Sequence, residues 1–311
     1  MLISIKDYLN WRKMAFDNIV VLGAGVIGSC YGALLSKRNR VIMVDNDKEN
    51  VERINKQGIE IITNRKRNFA LKAQTNLKKI LPNTLILLTT KAHQIESALS
   101  KIRARLRNDT VILVLQNGLG NEDLVKKIVG NRGEVIRGIV NSGAWAVRPG
   151  CYNLILREIV LEPSPKSDQI AQIFNRAGLP TRIAQDFPAE LWRKVVLNCV
   201  VNPLTAILQI RNNQIGSPIL RNLRHQIVEE CLKVSKAEGV FLPTNLAETL
   251  DEAILGYTNF SSMYQDVKNR KKTEIDFLNG KIVELAKRHN IPVPINETLT
   301  AIIKFFETSA K

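Results

Sequence analysis

The sequence predicts an α/β domain built on a parallel sheet, followed by an all-α domain. Three observations predict it. Short β-branched runs alternate with helical patterns through the first half, and a glycine-rich turn joins the first run to the first helix. Strand-like runs then vanish after Pro188, where helical periodicity takes over. With 311 residues, of which 45% are hydrophobic and 24% charged, the chain has apolar material for two cores.

In chain order, residues 18–22, 40–44, 59–62, 84–89, 110–115 and 135–140 read as strands, with further strands over 152–156 and 159–162. Helical patterns cover 27–38, 48–56, 94–106 and 122–129 between them. The second half reads as helices over 189–202, 219–238, 244–255, 262–270, 273–289 and 297–308. Pro203 has no backbone N–H and its ring crowds the carbonyl of Cys199, so the first of these helices is expected to stop or kink near Asn202. No internal repeat or low-complexity linker is visible.

Composition narrows the function. Cys30, Cys151, Cys199 and Cys231 lie far apart without a C-x-x-C pair, and His93, His225 and His289 are equally scattered. That pattern fits reduced core thiols in a cytoplasmic protein and offers no metal site. No apolar stretch reaches the roughly 18 uninterrupted residues of a membrane span. The first sixteen residues lack the long central run of a signal peptide. Net charge is +16, with clusters at Arg65-Lys66-Arg67, Lys78-Lys79 and Arg270-Lys271-Lys272. No aromatic residues interleave them and no nucleic-acid motif accompanies them, so they read as solvated surface that favours small anions over nucleic acid.

The run Gly23-Ala24-Gly25-Val26-Ile27-Gly28 directly follows the first strand and opens a helix. In that context the three glycines have different roles. Gly23 turns the chain, Gly25 lets a pyrophosphate approach bare backbone, and Gly28 lets helix and strand pack closely. The helix amino terminus adds N–H donors for phosphate. This is a Rossmann-type signature. The second strand ends in Asp45, twenty-two residues after Gly23, where a carboxylate binds ribose hydroxyls and repels a 2′-phosphate. NADH is therefore favoured, with NADPH use left open through Lys91 or Lys48. The plainer alternative makes Asp45 a loop residue and Asp47 the cap of the helix starting at Lys48. Lys91 and Asn117 follow later strands and sit where such sheets bind ligand. The organisation expected is an extension over 1–17, a dinucleotide-binding domain over 18–185 and a helical substrate domain over 186–311.

Lys194, Asn198 and Asn202 are the only polar side chains after Arg193 in the run from Glu190 to Asn202. At about 3.6 residues per turn they form one stripe of a helix, while Arg193 points about 100° away. A buried ammonium must meet something polar, and two amides beside it suggest a small, oriented polar substrate.

Taken together, GAGVIG, TTKAHQ, QNGLG, ELWRKVVLNCVVNPLTAI, NFSSMYQDV and KKTEIDFLNG, in that order, resemble the ketopantoate reductase family over roughly residues 18–305. The resemblance implies a Rossmann domain, a helical domain and a substrate cleft between them. The implied reaction reduces a small anionic 2-oxo acid, 2-dehydropantoate, to (R)-pantoate on the way to coenzyme A. It also implies that Lys194 is the catalytic lysine, with Glu274 the acidic residue of the site. Asn117, Asn198, Asn202, Asn212, Asn259 and Ser262 correspond to its polar contacts with substrate, Asn117 and Glu274 also lying toward the cofactor. One departure is that NADP-using members commonly carry Gly-Arg where this chain has Asp45-Asn46.

The chemistry agrees with that reading. Hydride transfer to a C2 carbonyl puts charge on its oxygen, and an ammonium aimed there stabilises the alkoxide and then protonates it. Burial would lower the lysine pKa, while Glu274 nearby would oppose the fall. Alternatives remain open. Lys194 can snorkel to solvent, Ser262 can cap the helix at MYQDV, and Glu274 can pair with Arg270 or Lys271 on a solvated face. The chain can equally be a reductase of another branched 2-oxo acid, or a non-catalytic nucleotide- or nucleic-acid-binding protein. Whether it forms a homodimer is also open.

Overall fold

The computed structural model describes residues 16–308. The extension expected over 1–17 lies outside the described residues except for Phe16, which is buried in the core, and Asp17, whose N–H donates to Asn83. Two compact units emerge. One holds the described residues up to Gln116 together with Asn121–Gln185; the other holds Asn117–Gly120 and the described residues from Asp186 onward.

Twelve strands are found in the first unit's described residues: β1 (Asn18–Leu22), β2 (Val41–Val44), β3 (Ile59–Ile62), β4 (Lys66–Phe69), β5 (Lys72–Gln74), β6 (Thr84–Leu88), β7 (Val111–Val114), β8 (Glu134–Val140), β9 (Gly143–Arg148), β10 (Cys151–Ile155), β11 (Ile159–Leu161) and β12 (Thr181–Ile183). The helices are α1 (Val26–Leu35), α2 (Lys48–Gln57), α3 (Ile95–Ser100), α4 (Asn121–Val129) and α5 (Ser167–Ala177). Eight strands form one sheet in the order β12-β11-β8-β7-β6-β1-β2-β5. Its centre is parallel, with Ile19 opposite Val41 on one side and Leu85 on the other. The strand order reverses at β1, so the turns after β1 and β6 lie side by side at the switch point where such sheets take ligands.

The structure departs from a purely parallel sheet in two places. β11 runs antiparallel to β8, because the chain returns between them without a crossover helix. β3 and β10 leave the large sheet and form a second one, ordered β4-β3-β10-β9. This explains α1, whose residues from Gly28 to Leu35 are all buried. One apolar cluster joins Tyr31 and Leu35 of α1 to Val21, Met43 and Leu87 of the large sheet and to Ile61 and Tyr152 of the small one. A helix covered on both sides has no polar face to keep.

The second unit is helical: α6 (Phe187–Leu208), α7 (Arg221–Ala237), α8 (Leu246–Leu255), α9 (Ser262–Lys268), α10 (Asn279–Arg288) and α11 (Pro294–Thr308). Its axis is α6, which packs against α7, α9 and α11. Of the two outcomes expected near Asn202, a stop or a kink, the stop does not occur: α6 continues through Pro203 for five more residues. The carbonyl of Cys199, which no N–H at position 203 can reach, instead accepts from the Asn279 side-chain amide at 3.0 Å. A proline is tolerated inside a helix when the freed acceptor finds another donor. The 22 residues and mean hydropathy of 1.2 would suit a membrane span, but 72% of that window is buried, as in a core helix.

Candidate active site

The glycine turn in the first unit follows the mechanics of its sequence. Gly23 adopts φ +106°, and a Cβ there would lie 2.6 Å from the Thr90 backbone nitrogen. At Gly28 a Cβ would lie 2.0 Å from the Gly23 carbonyl oxygen. Gly25 is different: it is exposed, and a Cβ on it would meet nothing within 4 Å. Two glycines are therefore consumed by folding and the middle one presents bare backbone. Gly25 also precedes α1, and Val26 and Ile27, half-buried in its first turn, carry amides that lack intrahelical acceptors.

The turn is held firmly. The Ala24 carbonyl accepts from Ser29 Oγ at 2.9 Å and Asn50 Nδ2 at 3.1 Å, while its N–H donates to Asp45 Oδ2 at 2.7 Å. The other carboxylate oxygen of Asp45 accepts the Asp47 N–H at 3.0 Å. Asp47 in turn caps α2 through the Asn50 N–H. The two aspartates thus act separately. Asp45 is half-buried beside the glycine turn, and each of its oxygens keeps a lone pair for a further donor. Lys91 is half-buried in the turn after β6, next to Thr90, whose Oγ1 accepts from Gln116 Nε2 at 3.4 Å.

In the helical unit α6 carries Lys194, Asn198 and Asn202 along one stripe. Asn198 and Asn202 are buried, and Arg193 is exposed. Lys194 is half-buried, not enclosed as its apolar neighbours suggested, since a four-carbon stem can bury itself while the ammonium reaches polar surroundings. Segment Asn117–Gly120 docks on the 3₁₀ turn Ile275–Phe277: the Leu119 N–H donates to the Phe277 carbonyl at 3.0 Å, and a Cβ on Gly118 would sit 2.3 Å from that oxygen. This docking sets Asn117 Oδ1 3.5 Å from Asn198 Nδ2. Glu274 begins the same turn and is buried, which removes the solvated-face reading.

Asn212 and Asn259 come together through backbone pairing, the Asn212 N–H donating to the Asn259 carbonyl at 3.0 Å. Asn212 is buried and its side-chain oxygen accepts no hydrogen bond among the described residues. Asn259 Nδ2 donates to the Phe260 carbonyl at 3.0 Å. The helix cap proposed for Ser262 belongs to Ser261, which accepts the Tyr264 N–H at 3.0 Å and the Thr205 hydroxyl at 2.7 Å. Ser262 is left half-exposed, its hydroxyl without a partner among the described residues. Sequence alone could not separate two adjacent serines as caps. Cys199, between the asparagines in sequence, is fully buried; burial and then Cys231 push its thiol well above the ordinary range, which disfavours the thiolate.

Residues 19–157 match the family described as ketopantoate reductase PanE/ApbA, and residues 186–307 match its C-terminal description. The chain belongs to the ketopantoate reductase family. A 2-dehydropantoate 2-reductase of Pyrococcus horikoshii is 36% identical over 303 residues, covering 93% of this chain and 97% of that protein. One from Vibrio cholerae is 28% identical over 94% of this chain and 98% of its own length. Among solved structures, a family ketopantoate reductase from Ralstonia eutropha superposes with a TM-score of 0.87 at 28% identity, covering 94% of this chain and 99% of that one. D-mandelate dehydrogenase with NADH and anilino(oxo)acetate gives 0.86 at 27%, with the same coverage.

Proposed function

We propose that this family member reduces 2-dehydropantoate to (R)-pantoate with NADH as the preferred donor. The observation that carries the reading is one helical unit holding Lys194, Asn198 and Asn202 on one helix stripe together with Asn117, Asn212, Asn259, Ser262 and Glu274. Full-length similarity to 2-dehydropantoate 2-reductases supports it. The glycine turn fits a dinucleotide, because open space at Gly25 suits a pyrophosphate and Asp45 suits an unmodified ribose.

A dinucleotide held at the glycine turn and Asp45 would supply the hydride for the C2 carbonyl carbon. Lys194 is assigned to the carbonyl oxygen, where its ammonium stabilises the growing negative charge and then delivers the proton that completes the hydroxyl. Asn198 and Asn202 hold the lysine and the oxygen by neutral hydrogen bonds that leave the charge balance unchanged. Ser262 is assigned to the substrate carboxylate and Asn259 to its hydroxyl, each a donor near the start of α9. Glu274 supports the protonated lysine. Free, buried thiols at all four cysteines support a reducing, cytoplasmic setting.

The test follows loss of reduced-nicotinamide absorbance with 2-dehydropantoate, for the wild type and Lys194→Ala. The variant is expected to lose about 10²–10³-fold in kcat while still binding NADH. Turnover surviving the substitution would remove the lysine from the mechanism. A second reading, reduction of a different branched 2-oxo acid, is favoured by the similarity to D-mandelate dehydrogenase. Comparing kcat/KM for 2-oxoisovalerate, an aryl 2-oxo acid and 2-dehydropantoate decides between them.

A further inference from the structure

Pro203 lies one residue after the stripe of Lys194, Asn198 and Asn202, and its ring removes the hydrogen bond that would hold the Cys199 carbonyl to the next turn. That carbonyl belongs to the helix turn that separates Asn198 from Asn202. Asn279, the first residue of α10 and fully buried, donates its side-chain amide to it at 3.0 Å. The same amide nitrogen donates to Asn296 Oδ1 at 2.9 Å. Asn296, also fully buried, donates from Nδ2 to Glu230 Oε2 at 2.7 Å. Glu230 further accepts the backbone N–H groups of Ile295 and Asn296 at 2.9 and 3.0 Å, which seats the carboxylate on the amino terminus of α11.

The orientation of every amide in this chain of contacts is determined. A carboxylate only accepts, so Asn296 must present its NH₂ to Glu230 and its oxygen to Asn279. Asn279 must then present NH₂ to Asn296, and its second proton goes to the Cys199 carbonyl. Three helices, α7, α10 and α11, are thereby joined to α6 at the one place where α6 cannot hold itself.

We infer that Asn279 is a positioning residue for the reaction: its side-chain bond to the Cys199 carbonyl sets the rotation and depth of the helix segment that presents Lys194, Asn198 and Asn202. This rests on the reductase reading above. The lever is short and sensitive. A rotation of about 10° about a helix axis moves an atom about 6 Å from it by about 1 Å. A misplacement of that size in a catalytic group costs about a hundredfold in rate. Asn279 also follows the turn on which Asn117–Gly120 docks, so one short segment, Glu274 to Asn279, orients both the helix stripe and the asparagine facing it.

The experiment compares Asn279→Ala, Pro203→Ala and the double variant for kcat, KM, NADH affinity and Tm. Asn279→Ala is expected to lower Tm and to lower kcat about tenfold to a hundredfold, with NADH affinity unchanged within about twofold. In the double variant an N–H at position 203 can again bond the Cys199 carbonyl, so Tm is expected to recover. Turnover should stay low, because the tie to α10 is still missing. A kcat for Asn279→Ala within about twofold of wild type overturns the inference, as does turnover returning together with Tm in the double variant. Should Asn279→Ala fail to fold alone, the double variant decides. A wild type that turns over no 2-oxo acid would overturn the functional reading as well, whereas an active wild type with unimpaired variants strikes out Asn279 alone.

Discussion

Substituting alanine at Gly25 and at Gly28 separates cofactor binding from folding, since the same methyl group meets opposite surroundings. At Gly28 the added Cβ lies 2.0 Å from the Gly23 carbonyl oxygen and 2.6 Å from Thr89 Oγ1, where ordinary contact begins at 3.4 Å. Relief requires a backbone shift of more than an ångström at the junction of α1 and β1. Overpacking of this kind costs about 1–3 kcal/mol, and at about 2–4 °C per kcal/mol the melting temperature should fall by several degrees. At Gly25 the Cβ meets nothing, and φ of −68° with ψ of −167° is open to any residue. Alanine there should leave Tm unchanged or raise it slightly, by restricting the unfolded chain by about 0.4–1 kcal/mol. The methyl instead occupies the space assigned to the pyrophosphate, so NADH affinity should fall about tenfold or more, or about 1.4 kcal/mol. Nicotinamide fluorescence titration and calorimetric melting read the two effects independently. Wild-type NADH affinity in Gly25→Ala, or a Tm loss as large as that of Gly28→Ala, would refute the division of labour within the turn.

Three other outcomes follow from particular residues. Replacing Asp45-Asn46 by Gly-Arg should shift the kcat/KM ratio toward NADPH by about tenfold or more, since a 2′-phosphate then meets a cation in place of a carboxylate; an unmoved ratio would remove Asp45 from cofactor choice. Asp251 is pulled upward by burial, but hydrogen bonds from Arg224 at 2.6 Å and His225 at 2.9 Å hold its carboxyl below the usual carboxylate range. A depressed folded-state value stabilises the protein above about pH 4 and loses that contribution as pH falls through it, so the Tm gap between wild type and Asp251→Asn should narrow in acid; a gap constant with pH would contradict this. Burial pushes the Cys30 thiol up to about 12, so native protein at pH 8 should resist thiol reagents at this position until it unfolds, as mass spectrometry of labelled peptides would show.

Legibility followed the range of the interaction. Strands of the sheet centre, such as 18–22 and 84–88, announced themselves because each is a β-branched run buried on both faces. Edge strand Lys66–Phe69 did not, since KRNF has no apolar alternation and exists only through its pairing with Ile59–Ile62. Helix Ser167–Ala177 was readable yet absent from the expected elements. Ile170, Ile173, Phe174 and Ala177 recur at helical spacing, and Gly178 closes the helix in the left-handed conformation. Of the stop or kink expected near Asn202, the stop is absent for a different reason. Proline removes a local donor, and the residue that replaces it lies 80 positions from the Cys199 carbonyl it serves.

The amino-acid order alone determined what short-range physics controls: which segments are strands or helices, where glycine must turn the chain, and that Lys194, Asn198 and Asn202 share a helix face. Tertiary structure decided everything that needs a distant partner. It assigned two sheets where one was expected, gave Asp45 the Ala24 N–H, seated Asn117 against Asn198, and carried α6 past its proline on the amide of Asn279. Periodicity is written between neighbours in sequence, whereas a buried acceptor takes whichever donor folding brings within about 3 Å.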